Sequence, residues 1–120
     1  MVFRAILHEL LETTEGAIGA MFLDYEGESV ELLTHHDLEL DDLKIIGAYQ
    51  GIFLTQLRNL CAEMAVGEPQ RFKLEFALTT VLSCDIKDGY YLVLLIAGST
   101  SEGMAWHRLT HCREKLLAEM

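Results

Sequence analysis

Two runs in this 120-residue chain show no polar side: AIGAMFL, Ala17 to Leu23, and YYLVLLIA, Tyr90 to Ala97. Each is short and lacks alternation, which is the pattern of a strand covered on both faces. A sheet that holds two such strands needs helices on each side, because neither face can be left to water. The fold must therefore be layered, with a sheet inside.

The remaining segments supply the layers. Phe3, Ile6, Leu7, Leu10 and Leu11 fall at i, i+3, i+4, i+7 and i+8, which predicts an opening amphipathic helix with Gly16 as its C-cap. Asp24, Tyr25, Glu26 and Gly27 read as a turn, and Val30, Leu32 and Leu33 as a returning strand. After a polar, acidic passage, Asp37 or Asp41 is placed to cap a helix running to about Met64, with Gly67 and Pro69 marking its end. Residues 71–77 and 81–86 read as strands. Lys87, Asp88 and Gly89 make a tight hairpin into the second apolar run. Ser99 and Glu102 have the form of a capping box, and Ala105, Leu109, Cys112 and Leu116 line one face of a last helix. The expected class is α+β in the order αββαβββα: a five-stranded antiparallel sheet between helices, one domain over residues 1–120.

Charge narrows the partners. Nineteen acidic residues against nine basic ones give a formal charge of −10. That balance argues against nucleic acid, whose phosphates are met by Lys and Arg, and against anionic membranes. It suits a partner with a basic patch. No apolar run reaches the roughly 20 residues of a membrane helix, and the opening MVFRAILHELLE is charged too evenly for a signal peptide. A cytoplasmic setting is expected, with Cys61, Cys84 and Cys112 as buried free thiols.

The middle helix carries more apolar surface than one core face uses. At about 100° per residue, Ile46, Phe53, Leu57, Leu60 and Met64 share a direction and are expected to face the core. Ile45, Tyr49 and Ile52 form a second stripe. Gly47 and Gly51 each cost about 1 kcal/mol against alanine in a helix, so close approach of another element is expected beside them. The strand RFKLEF alternates Arg71, Lys73 and Glu75 with Phe72, Leu74 and Phe76, as an edge strand with one wet face does. A homodimer answers both features. The helices meet through Ile45, Gly47, Tyr49, Gly51 and Ile52, and the edge strands pair with Arg71 and Lys73 facing Glu75 across a two-fold axis.

At this point the chain resembles the roadblock/dynein-light-chain family. The resemblance rests on LLETTEGAIGAMFLDYEGESVELL, with Gly16, Asp24 and Gly27, and on the element order across almost the whole chain. It implies dimers joined sheet to sheet with second helices side by side, and a Ras-like small GTPase as client, regulated or scaffolded by the dimer. Carried onto this sequence, the client surface comprises Lys44, Ala48, Thr55, Arg58, Asn59 and Ala62. The acidic stretch at Glu39, Asp41 and Asp42, and Tyr49, depart from the family pattern.

No catalytic signature is present. His35, His36 and Asp37, with Glu39, Asp41 and Asp42 near, are the best metal candidates, but adjacent histidines on extended chain point apart. Cys84 with His107 and His111 lacks anything to bring the residues together. No phosphate-loop glycine pattern occurs. The candidates for an arginine finger are Arg58 and Arg71, of which Arg71, on a paired strand, is expected to be structural instead. The expectation is thus a non-enzymatic regulator or scaffold of a small GTPase, without cofactor or metal. The alternative is a module bridging a motor or sensory assembly without a GTPase. A small-ligand sensor ranks last, because the apolar strands offer few polar groups to a pocket.

Overall fold

The computed structural model describes residues 2–35 and 38–120. Three helices and five strands follow in the expected order: α1 Val2–Thr13, β1 Ala17–Leu23, β2 Ser29–Thr34, α2 Leu40–Met64, β3 Arg71–Glu75, β4 Thr79–Lys87, β5 Tyr90–Ala97 and α3 Glu102–Glu119. The strands form one antiparallel sheet in the order β2-β1-β5-β4-β3. The two all-apolar runs, β1 and β5, are neighbours inside it, where both faces are covered.

Alternation sorts the core into two layers. Ala20, Phe22, Leu82, Leu92, Leu94 and Ile96 point toward α1 and α3, where Leu7, Leu10, Leu109 and Leu116 meet them. Met21, Leu23, Val81, Tyr91, Val93 and Leu95 point the other way, toward Leu43 and Leu54 of α2. The β4–β5 hairpin turns through Asp88 and Gly89, at φ +53° and +84°. Two consecutive positive φ values are what a twist-matched two-residue hairpin requires, and Asp-Gly supplies them at little strain.

Two expectations about helix ends need correction. First, α3 starts two residues later than a cap at Ser99 demands: its N-cap is Ser101, without a side-chain cap bond. Glu102 turns its carboxylate to Lys73 and Trp106 instead of closing a capping box. Second, Glu39 is the N-cap of α2 and Asp41 lies within its first turn, while Asp37 falls outside the described residues. The end of α2 at Met64 is as expected, with Ala65 in the left-handed conformation as its C-cap.

The core face of α2 is also rotated from its expected direction. The buried residues are Leu43, Gly47, Gln50 and Leu54, roughly 80° around the helix from the cluster of Ile46, Phe53, Leu57, Leu60 and Met64. Leu60 and Met64 are exposed. The cause is close approach. A Cβ on Gly47 would stand 2.6 Å from the Met21 sulfur, and one on Gly51 would stand 2.5 Å from the Tyr91 hydroxyl. The glycines let the helix settle on its own sheet, and the large side chains are turned aside.

Candidate interaction surface

α2 lies chiefly over β2, β1 and β5. Two polar contacts fix its seat. The Tyr91 hydroxyl donates to the Gly47 carbonyl at 2.8 Å, and the Ser83 hydroxyl donates to Gln50 Oε1 at 3.2 Å. Both are buried, so a slide of the helix would strand them. Burial also pushes the Tyr91 phenol up to about 12.

Beyond α2, toward β4 and β3, the same face of the sheet is left as an open groove of about 480 Å³. Ile46, Tyr49 and Phe53 of α2 form one wall, and Leu74, Phe76 and Val81 form the other. Phe76 is 61% exposed and Leu78, in the turn that follows, 83%. Ile45, Tyr49 and Ile52 lie nearly opposite the buried face of α2 and are each more than half exposed. Together with exposed Leu60 and Met64 and half-buried Phe53 they give α2 an apolar arc of about 120°.

The groove runs out to the edge of the sheet. β3 pairs with β4 on one side, through Arg71↔Cys84 to Glu75↔Thr80. Phe76 N–H donates to the Thr79 carbonyl, and Asp85 N–H to the Gln70 carbonyl. Antiparallel bonds alternate, so Phe72 and Leu74 turn their peptide groups to β4 while Arg71, Lys73 and Glu75 turn theirs outward. Among the described residues nothing pairs with that outer edge.

The residues expected at an interface divide accordingly. Ile45, Tyr49 and Ile52 do stand free on the outer side of α2. Gly47 does not: it is buried, and the room left by both glycines is taken by Met21, Leu23 and Tyr91 rather than kept for a second helix. The charges of β3 already have partners in the chain. Lys73 Nζ sits 2.7 Å from Glu75 and 2.8 Å from Glu102, and these carboxylates hold its ammonium above the usual range. Arg71 lies over the Trp106 ring, 4.6 Å from its centroid. Of the expected client-facing residues, Lys44, Thr55 and Asn59 are exposed on the flank of α2 beside the β1–β2 turn, with Thr55 Oγ1 bonded to the Gly51 carbonyl. Ala48 is partly covered by that turn at Gly27. Arg58 is tied to Asp85 instead.

The candidates for chemistry are not assembled. His35 turns to the Leu11 carbonyl and Glu12 of α1, and His36 and Asp37 lie outside the described residues. Among the described residues no three His, Cys, Asp or Glu side chains gather as a metal site. Cys84 and Cys112 are buried and their thiols are pushed up to about 12, while His107 and His111 are exposed on α3. Phe76 and Leu78 were absent from the sequence-based interface. The alternating pattern of β3 marked Phe76, but only the sheet order shows that the face beneath it lacks a helix.

No family model and no curated protein matches the chain in sequence. Solved structures do match its shape. A roadblock/LC7 domain from Streptomyces avermitilis superposes with a TM-score of 0.85 at 13% identity, over 97% of this chain and 95% of its own. MglB of Myxococcus xanthus gives 0.86 at 14% identity, over 98% and 93%. MglC of Myxococcus xanthus gives 0.70 at 23% identity, over the full length of both. The chain has the roadblock/LC7 fold, three helices around a five-stranded antiparallel sheet.

Proposed function

We propose that this protein is a non-enzymatic interaction module that closes on a second copy of itself and, as a dimer, regulates or scaffolds a small Ras-like GTPase. The observation that carries the dimer is the apolar groove between α2 and β3, continuous with an open strand edge. A groove lined by Tyr49, Phe53, Leu74 and Phe76 is costly in water at about 25 cal/mol per Å² of apolar area. A second copy brings the same residues to meet it, and pairing of two β3 edges satisfies the outward peptide groups.

The GTPase part follows from the fold resemblance, and the exposed flank of Lys44, Thr55 and Asn59 is the surface offered to it. With Arg58 held by Asp85 and Arg71 on Trp106, a direct arginine finger is disfavoured. Any effect on hydrolysis would then act by shifting the client's own loops. The same occupied arginines favour the second reading, a bridge in a motor or sensory assembly with no GTPase.

The test has two stages. Sedimentation of the pure protein at micromolar concentration should give a dimer, and Phe76→Glu should give a folded monomer. The dimer is then mixed with candidate small GTPases, with complex formation and GTP hydrolysis followed together. A wild-type monomer defeats the interface. A dimer that captures only other proteins defeats the GTPase reading in favour of the bridge.

A further inference from the structure

On the other face of the sheet, between α3 and the chain entering β3, lies a second cleft of about 490 Å³. Polar and apolar groups share its lining about equally, with Glu68, Gln70, Arg71, Asp85, Thr110 and Arg113 beside Pro69 and Cys84. In a chain of charge −10 this concentration of arginine is unexpected. Both guanidiniums are held in place. Arg71 is stacked on Trp106, and Arg113 donates from Nε to the Asp85 carbonyl at 2.6 Å and from Nη2 to the Ile86 carbonyl at 3.0 Å. These partners are a ring and two neutral carbonyls, so neither positive charge is neutralised. Among the described residues no carboxylate stands within ion-pair distance of either.

The carboxylates nearby do not cancel them. Asp85 is engaged by Arg58, which reaches it from α2. Glu68 is exposed in the loop before β3, without an ion pair. Two fixed guanidiniums suit a doubly charged, many-oxygened group better than one carboxylate, which a single arginine fork satisfies. The volume exceeds that of a lone anion and falls within the range of small-ligand sites.

We propose that this cleft binds a phosphate group carried on a small molecule, with Arg71 and Arg113 as its anchors. Gln70 and Thr110 are placed to donate to the remaining oxygens, and Glu68, at the rim, opposes binding. The cleft is on the opposite face of the sheet from the α2 groove, with Arg71 at the start of β3, the strand whose outer edge is proposed to pair.

Inorganic phosphate is the first probe, titrated into the full chain at constant ionic strength and followed by backbone amide NMR. Saturable shifts are expected at Gln70, Arg71 and Thr110. Arg71→Gln, at an exposed site, should weaken binding about tenfold or more with the fold intact. Arg113→Lys should also weaken it, and Glu68→Gln should tighten it. Succinate, a dicarboxylate of similar charge, is the control. Absence of a saturable response to phosphate, equal or tighter binding of succinate, or an unchanged response in Arg71→Gln would each overturn the proposal.

Discussion

Gly51 and Tyr91 decide how near α2 comes to the sheet. In an open helix Gly51→Ala would gain about 1 kcal/mol from propensity. Here the new methyl would stand 2.5 Å from the Tyr91 hydroxyl and 3.0 Å from Cζ, on a buried ring bonded to Gly47. A rigid ring cannot swing aside as a methionine tip can, so overpacking wins and Gly51→Ala should destabilise by about 1–3 kcal/mol in urea unfolding. Gly47→Ala meets the Met21 sulfur and should be milder. Tyr91 adds a pH dependence of known sign. Its phenol is raised from 10.0 to about 12, so the fold favours the neutral form. That contribution is whole below pH 10.0 and is lost as pH climbs toward about 12. A phenolate absorbance titration should show a step near 12, and Tyr91→Phe should remove that step.

β3 behaves as an element with two unlike edges, and proline can tell them apart. At Lys73 the N–H points outward, so Lys73→Pro removes a donor that the isolated chain does not use. At Leu74 the N–H points to β4, so Leu74→Pro breaks the ladder itself. Lys73→Pro should give a folded monomer by circular dichroism and sedimentation, with Lys73→Ala, which loses the same ion pairs, still dimeric. Leu74→Pro should lower stability by about 1–3 kcal/mol, the cost of leaving a ladder carbonyl without its donor. Strands and hairpins of this kind were legible in the sequence because period-2 alternation, Asp88-Gly89 and unbroken apolar runs are local signals. The face of α2 was not. Two of its four buried positions, Gly47 and Gln50, carry no hydrophobic weight, while Leu60 and Met64 carry much and are exposed. The burial of α2 is set by a ring and a thioether arriving from β5 and β1, and no helical period contains that. The arginine cleft was illegible for the same reason: Arg71 and Arg113 are 42 positions apart and meet only through β4.

At the scale of the whole molecule, the proposed dimer joins an acidic body to its own copy. Each chain brings a charge of −10, so two approaching copies repel. The contact proposed is apolar and backbone-mediated: the groove of Tyr49, Phe53, Leu74 and Phe76, and the outward peptide groups of β3. Neither is weakened by salt, whereas the repulsion is screened. The Debye length falls from about 30 Å at 0.01 M to about 8 Å at 0.15 M ionic strength. Dimerisation should therefore tighten as salt rises across that range. Ion pairs across the axis would give the reverse trend, but Lys73 already holds Glu75 and Glu102 within its own chain, and Arg71 lies on Trp106. The measurement is the dissociation constant by sedimentation equilibrium at several chloride concentrations, with Phe76→Glu as the variant lacking the apolar anchor. A constant that rises with salt in the wild type would place charge pairs, and not the groove, at the centre of the interface.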